Sequence, residues 1–353
     1  MLNARAIAFY LPQFHPIAEN DLWWGKGFTE WTNTAKAKPL FPGHYQPHVP
    51  ADLGFYDLRL PESRQAQADL ATRYGIEGFC YYHYWFGGRR ILNRPFDEVV
   101  ASGEPSLPFC LCWANESWSG VWHGESKRVL LEQNYPGEVD HRAHFETLLP
   151  AFRDPRYIRV DGKPMFIIYR PLQLPNLAAT LALWRQMAEE AGLSGLHLVG
   201  NTMIPDDDLT QHGYDATLHT PGFAQRPWVS WRKPAAWMRQ KIRHWQGRPT
   251  VEPFAAFADK HRPRRQPNPS YPCVVHAWDN TPRSGRRGVV MQGATPEIFA
   301  GLLSAAIESV SVHHLDQRIV FLKSWNEWAE GNHLEPDLRN GHVWLETIKK
   351  ALD

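Results

Sequence analysis

Two glutamates near the C-terminus carry the clearest chemical signal in the sequence. Glu327 and Glu330 lie three residues apart in the segment SWNEWAEG at 324–331. Two carboxyl groups that can be held close to one substrate atom are the usual means of cutting or making a glycosidic bond. Trp325 and Trp328 argue against an ordinary solvated turn, because exposed turns seldom carry two tryptophans. We therefore interpret Glu327 and Glu330 as a catalytic pair.

Eight short apolar runs are the elements that would position this pair. Each run has four to eight residues, the length of a buried strand. The last run ends just before the two glutamates, and the sixth is the weakest. In chain order the predicted strands span 6–11, 78–85, 108–113, 165–170, 196–201, 216–219, 273–278 and 319–325.

Helical patterns separate most of these strands. Strands that alternate with helices indicate a parallel sheet, and eight such units predict an α/β protein with a closed (β/α)8 barrel of the TIM type. The main alternative, an open doubly wound sheet, would require a glycine-rich phosphate loop after the first strand. The first strand is followed instead by LPQFHP at 11–16. The predicted helices span 60–74, 140–152, 177–191, 295–312 and 342–352.

Two long inserts interrupt the alternation. One spans 12–54, after the first strand, and the other spans 222–271, before the seventh. Loops of this length in a compact domain usually carry function or move. The sequence has no internal repeat, low-complexity tract or linker that would divide it. We therefore predict a single domain over 1–353 with elaborated loops.

The predicted strand ends collect polar and aromatic residues. The active site of a (β/α)8 barrel lies at the C-terminal ends of its strands. Side chains of these types hydrogen-bond to sugar hydroxyls or stack on sugar rings, so their convergence predicts a large polar ligand. The candidate binding residues are Tyr10, Gln13, His15, Tyr82, His83, Trp85, Trp113, Asn115, Glu116, Trp278, Asp279 and Asn326.

Five of these candidates have a structural alternative. Asn115 could cap the helix that follows it. His15 and His83 could be structural histidines, and Trp85 and Trp113 could pack inside the barrel. The set therefore predicts the site better than any one member does.

Two acidic candidates would be costly if they were buried without a partner. For Glu116 we expect either the ligand or an arginine as that partner. For Asp279 we expect an ion pair with Arg283, which follows it closely in the chain.

Composition narrows the ligand class. A formal net charge of +1 provides no field that would draw the protein to nucleic acid or to an acidic membrane surface. The 16 Trp, 12 Tyr and 17 Phe exceed what one core needs, which favours an oligo- or polysaccharide partner. No run reaches the roughly 18 apolar residues of a membrane span. No signal peptide precedes the first strand, so a cytoplasmic protein is expected.

The four cysteines predict neither a metal site nor a disulfide framework. Cys80, Cys110, Cys112 and Cys273 all fall inside apolar, strand-like runs. Their spacing is not that of a metal site, and no histidine motif accompanies them. We expect reduced core thiols, and neither a metal nor another cofactor.

Several of these segments together resemble the WbsX family, whose members are described as glycosyltransferases of polysaccharide biosynthesis and as glycoside hydrolase family 99-like proteins. The resemblance covers nearly the whole chain, and the tryptophan-rich opening segment is its most specific part. The segments are YLPQFHP at 10–16, ENDLWWGKGFTEWTN at 19–33, GFCYYHYW at 78–85, WANESW at 113–118 and WDNTPR at 278–283.

A more distant similarity to family 99 itself is carried by NEWAEG at 326–331 and LEP at 334–336. This resemblance implies a (β/α)8 barrel that acts with retention on internal α-mannosidic bonds. It implies that Glu327 takes the proton from the sugar 2-hydroxyl, so that a 1,2-anhydro sugar forms. Glu330 would then protonate the leaving oxygen and later activate water or an acceptor.

The sequence leaves three functions open. The first is a retaining, metal-independent hydrolase or transglycosylase acting on α-linked, mannose-like glycans of bacterial surface polysaccharide. The second is a glycosyltransferase of O-antigen or capsule biosynthesis. A nucleotide-sugar site is disfavoured, because the acidic run 206–208 sits at a predicted helix start. The third is a protein without catalysis, either a glycan-binding barrel or an assembly scaffold.

Overall fold

The computed structural model describes residues 3–119, 129–223, 238 and 247–353. Eight parallel strands form its centre, and we label them β1 to β8 in chain order. They span Arg5–Tyr10, Ile76–His83, Phe109–Trp113, Lys163–Ile168, His197–Thr202, Ala216–His219, Ser270–Val275 and Ile319–Lys323.

The eight strands close into a barrel. Each strand pairs in parallel with the next one in the chain, and β8 pairs with β1, where Val320 lies opposite Ala6. This closure confirms the (β/α)8 prediction, and the open doubly wound alternative is wrong. The continuous apolar runs form these strands because both of their faces are buried, one inside the barrel and one under helices.

Helices cover the outside of the barrel. The predicted helices are present with ends shifted by a few residues, whereas the sequence reasoning missed Arg94–Ser102 and the short helices of the loops. In chain order α1 to α10 span Ala18–Trp24, Glu30–Lys36, Pro61–Arg73, Arg94–Ser102, Glu138–Arg153, Leu177–Glu190, Phe254–Lys260, Thr281–Ser284, Pro296–Val310 and Val343–Leu352.

Short elements lie in the segments that connect the barrel strands and helices. Thr250–Pro253, Trp278–Asp279 and Val289–Gln292 form a separate three-stranded sheet. Three antiparallel pairs are Trp85–Phe86 with Arg89–Arg90, Trp118–Ser119 with Val129–Leu131, and Asn326–Glu327 with Asn332–His333, while Arg159–Val160 extends the edge of β4. One-turn 3-10 helices span Pro171–Gln173, Thr210–His212, Gly285–Arg287, Leu315–Gln317 and Trp328–Glu330.

The seventh strand is the main boundary error. It was predicted over 273–278, but β7 ends at Val275, and Trp278 belongs to the separate sheet, where it pairs with Met291. Both segments are apolar and buried, so the sequence pattern could not separate them. The four cysteines are free and buried, as expected. Of the helices that the structure describes, none has the length and apolar character to cross a membrane.

Candidate active site

A tight turn after β8 brings the two glutamates together. Asn326–Glu327 pairs antiparallel with Asn332–His333, and the 3-10 helix Trp328–Glu330 fills the turn between them. Gly331 closes this turn with a φ of 62°, and a Cβ there would lie 2.9 Å from Cβ of Asp279. The turn therefore requires glycine at this position. It holds Glu327 and Glu330 at one wall of the barrel mouth, and each is 4% exposed.

One guanidinium group joins the two carboxylates. Arg283 donates from Nη1 to Oε1 of Glu330 at 2.6 Å and from Nη2 to Oε2 of Glu327 at 3.0 Å. The same side chain also donates from Nε to Oε2 of Glu30 at 2.9 Å. Glu30 begins helix α2 in the insert after β1 and is 3% exposed. The cluster thus combines residues from the insert, the segment after β7 and the segment after β8.

A cavity of about 130 Å³ opens beside this cluster. Glu30, Arg283, Glu327 and Glu330 all contribute to its lining, together with Lys323 at the end of β8. Aromatic side chains supply much of the remaining wall, so the cavity combines charged groups with ring faces suited to a sugar. These aromatic residues are Trp24, Tyr82, Tyr84, Trp118 and Tyr169.

The electrostatics of the cluster single out Glu327. Burial raises the pKa of its carboxyl group, the neighbouring Glu330 raises it further, and Arg283 and Lys323 only partly oppose this, so that the pKa is about 7. A carboxyl group with a pKa near neutrality can both give and take a proton at physiological pH. Glu327 is therefore suited to acid or base catalysis.

The buried side chain of Glu335 stabilises the turn. Glu335 accepts hydrogen bonds from Tyr56 Oη at 2.9 Å, from Trp328 Nε1 at 2.6 Å and from Gln67 Nε2 at 2.6 Å. Burial raises the pKa of Glu335 to about 7 despite these donors. This contact holds the ring of Trp328, which lies between the two glutamates in sequence.

The structure brings five of the predicted site residues together. Gln13, Tyr82 and Glu116 line the same cavity as Glu327 and Glu330. Glu116 has the arginine partner that its sequence position suggested, since Arg170 Nε donates to its Oε2 at 2.8 Å.

Five aromatic or histidine candidates do not line this cavity. Tyr10 is buried and donates to Gln67 Oε1 at 2.7 Å. His15 is buried, which lowers its pKa to about 4. His83 binds His144 of α5 with 2.8 Å between their Nε2 atoms. Hydrophobic packing places these rings in the core instead of the barrel mouth.

The two tryptophans of this group pack with the same histidine. Trp85 stacks on His144 at a centroid distance of 4.7 Å and donates to Asp140. Trp113 is fully buried and donates to the carbonyl oxygen of Trp85 at 3.3 Å. Both rings are therefore core residues, but they pack beneath α5 and not inside the barrel as the structural alternative stated.

Two asparagine candidates bind the backbone instead of the cavity. Asn115 accepts from the Arg170 amide at 2.7 Å and donates to its carbonyl oxygen at 3.0 Å. Asn326 accepts from the Leu11 amide at 2.7 Å and donates to its carbonyl oxygen at 3.0 Å. Each amide thereby ties the end of one barrel strand to the chain leaving another.

The remaining two candidates also lie outside the cavity lining. Trp278 stacks on Phe223 at a centroid distance of 3.5 Å. The expected ion pair between Asp279 and Arg283 is replaced by a different arrangement. Asp279 Oδ2 lies 2.7 Å from both His44 Nε2 and Gln46 Nε2, while Arg283 contacts the three glutamates.

Sequence reasoning missed three charged residues of the site. The sequence pattern includes Glu30 only in the resemblance to the family, predicts Asp279 as the partner of Arg283 and places Lys323 within a strand. A lysine and a glutamate inside otherwise apolar or aromatic segments were the available signals, because such charges are rarely buried without a role.

One group of side chains has a geometry that could hold a cation. Ligand atoms of His48, His333 and Asp337 lie within 4.8 Å of one another. However, His48 Nδ1 lies 2.8 Å from His333 Nε2, and His333 Nδ1 donates to the Glu335 carbonyl oxygen. The two rings thus satisfy each other by hydrogen bonding, which accounts for the group without a metal. Because His48 lies 285 residues from His333, sequence spacing could not have revealed the group.

Comparison with known sequences covers almost the whole chain. The profile of a family described as "Glycosyltransferase WbsX" matches residues 6–348. A protein of Xanthomonas campestris pv. campestris (strain B100), described as "Uncharacterized protein WxcX", is 40% identical over 358 residues. The match covers 99% of this chain and 50% of that protein. The chain therefore spans about half the length of the curated relatives that it matches.

Solved structures share the barrel. A "Glycoside hydrolase-like protein" has a TM-score of 0.62 and 13% identity, and the match covers 100% of this chain and 95% of that one. The GH99 endo-alpha-mannosidase from Bacteroides thetaiotaomicron has a TM-score of 0.58 and 16% identity, with 100% and 98% covered. At these identities the likeness shows a common (β/α)8 fold.

Proposed function

Because the chain belongs to the WbsX family of glycosyltransferases, we propose that it is a retaining carbohydrate-active enzyme that uses Glu327 and Glu330 to act on an α-linked glycan. The observation that carries this proposal is the placement of both carboxyl groups at one cavity beside a single guanidinium group. The expected substrate is a mannose-like glycan of bacterial surface polysaccharide, by analogy with the endo-alpha-mannosidase that shares the fold.

In the first step Glu327 acts as the base. It removes the proton from the 2-hydroxyl of the sugar, and O2 attacks C1 to form a 1,2-anhydro ring. The glycosidic bond breaks at the same time, and Glu330 gives its proton to the leaving oxygen. The pKa of about 7 supports this role for Glu327, since a base works best when its pKa lies near the working pH.

The second step reverses the proton transfers. A hydroxyl of water or of an acceptor sugar attacks C1 and gives its proton to Glu330. The C1–O2 bond breaks, and O2 regains its proton from Glu327. Two inversions at C1 give net retention, and both carboxyl groups return to their starting states.

Arg283 has two tasks in this scheme. It holds the two carboxylates in register, and it limits the repulsion between them. The three carboxyl groups around it remain buried only because a cation neutralises part of their charge. A positioned cation of this kind also favours the negative charge that develops on the sugar oxygens.

Transfer to an acceptor sugar is the second candidate activity. The family description favours it, and the same two glutamates would serve, because only the attacking hydroxyl differs. A metal-dependent nucleotide-sugar site finds no support at the acidic run 206–208. Asp207 binds Thr202, and Asp208 binds Thr210 and Asn268, so both carboxylates stabilise a turn.

The test is product analysis with matched variants. The protein is incubated with α-linked manno-oligosaccharides and with fragments of bacterial surface polysaccharide, and proton NMR follows the anomer that is released. We expect retention, with activity lost in E327Q and E330Q and preserved in E346Q, which alters an exposed glutamate of α10. Equal activity in all four proteins would refute a role for the pair.

A further inference from the structure

The side chain of Lys323 lines the cavity beside the two glutamates. Lys323 is the last residue of β8, is 8% exposed and lines the cavity together with Glu327 and Glu330. Among the residues that the structure describes, no acceptor lies within hydrogen-bonding distance of its Nζ atom. Its Nζ atom lies 5.8 Å from the centroid of the Trp278 ring.

Lys323 is charged in this position. Burial by itself would lower the pKa of its ammonium group, but the nearby Tyr169, Glu330 and Glu327 outweigh burial and hold the pKa above its ordinary value. Three N–H donors therefore face the cavity. A ligand that supplies oxygen atoms there can accept hydrogen bonds from them.

The charge balance of the cavity indicates whether the oxygen atoms of the ligand belong to neutral hydroxyl groups or to a carboxylate. Glu116 is paired with Arg170, which leaves the carboxyl groups of Glu30, Glu327 and Glu330 facing the two cations Arg283 and Lys323. The set is neutral when either Glu327 or Glu330 carries a proton and has one negative charge when both are ionised. No positive charge is therefore left over in either state to balance a carboxylate on the substrate.

We propose that Lys323 is a substrate-binding residue that donates hydrogen bonds to hydroxyl oxygens of a neutral sugar ring held against Glu327 and Glu330. The inference rests on the proposed function and adds a class of substrate to it, namely neutral hexoses as opposed to uronic acids. Lys323 needs hydrogen-bond acceptors and not a further counter-charge, because the carboxyl groups of the cavity already balance its charge.

The test uses a matched pair of probes and matched variants. The probes are α-linked manno-oligosaccharides and the same oligosaccharides oxidised at C6 to uronic acids. Their binding to the wild-type protein, K323M and K323R is measured by calorimetry. K349M removes the same charge from the exposed end of α10 and serves as the control. Thermal unfolding of each protein establishes that it is folded.

We expect the wild-type protein to prefer the neutral probe. K323M should bind it roughly 10- to 100-fold more weakly, which is the worth of a charged hydrogen bond. K323R should recover part of the affinity, and K349M should match the wild-type protein. A crystal structure of the wild-type protein with the neutral probe should place a sugar hydroxyl within hydrogen-bonding distance of Nζ.

Three results would overturn the inference in distinguishable ways. Equal binding by K323M and the wild-type protein, or a sugar hydroxyl far from Nζ, removes Lys323 from the site but leaves the two glutamates as proposed. A wild-type preference for the oxidised probe makes the ligand anionic. If the wild-type protein binds neither probe and cleaves neither, the proposed function falls with the inference. If K323M does not fold, the crystal structure with the neutral probe and the affinity of K323R for that probe show whether Lys323 binds the sugar.

Discussion

Nη1 of Arg283 lies 2.6 Å from Oε1 of Glu330, and the same guanidinium group reaches Glu327 and Glu30. The side chains of all four residues are at least nine-tenths buried. A single cation therefore stands between three carboxyl groups in a setting with little water. Removal of that cation should matter for stability as well as for activity.

The first prediction concerns this cation. R283M leaves three buried carboxyl groups without it, so we expect about 3 to 5 kcal/mol lower free energy of unfolding. Urea unfolding measures the change. The control is R142M, which breaks an exposed pair with Glu138 on α5 and should cost under about 1 kcal/mol. Equal losses in the two variants would mean that the cluster is not held together by Arg283.

The pH dependence of kcat/KM is the second prediction. Glu327 must be ionised to act as a base, and its pKa is about 7. The value of kcat/KM should therefore fall as the pH drops through about 7. The slope of its logarithm against pH should be that of a single titrating group. A rate that instead falls as the pH rises through the same range would make Glu327 the acid.

The third prediction separates the roles of the two glutamates. Protonation of the leaving group matters little when that group is nitrophenol and much when it is an aliphatic alcohol. In single-turnover assays on α-mannosides, E330Q should release nitrophenol far better than it releases the alcohol. E327Q should fail with both, since the attack by O2 is lost. The reverse pattern would exchange the two assignments.

A fourth prediction links activity to stability. The pKa of Glu327 is about 7 in the folded protein and near 4.5 when unfolded, so the folded state binds the extra proton between these values. Its contribution to stability is present below about 4.5 and is lost as the pH rises through 7, amounting to at most about 3 kcal/mol. E327Q should not lose stability in this way. The difference in free energy of unfolding between E327Q and the wild-type protein should therefore shift in favour of E327Q from pH 5 to pH 8. If this difference in free energy of unfolding did not change with pH, Glu327 would not be the group that takes up the extra proton.

The barrel could be predicted because each of its strands is an uninterrupted apolar run between loop signals. The pair Glu327 and Glu330 was visible because the chain itself places them one turn apart. By contrast, Arg283 and Glu30 are 253 residues apart, and their contact depends on how the insert folds onto the barrel. No local pattern contains that information.

The aromatic residues show a second limit of sequence patterns. Trp85 and Trp113 lie near the ends of strands as Tyr82 does, yet they pack under α5 around His144. A ring at the end of a strand can point into the mouth or outward beneath a helix, and the alternation of faces is lost where the strand stops. Asn115 and Asn326 behave in the same way, because the barrel needs their amides to join neighbouring strands.

Glu30 enters the cluster from outside the barrel, carried on the helix that follows the insert's tryptophan-rich opening. The reacting groups are therefore completed by a segment that could lengthen, shorten or diverge while the eight strands stay as they are. Exchange of that segment between relatives would change both the proton affinity of the glutamates and the sugar that is bound, while the eight barrel strands stay the same.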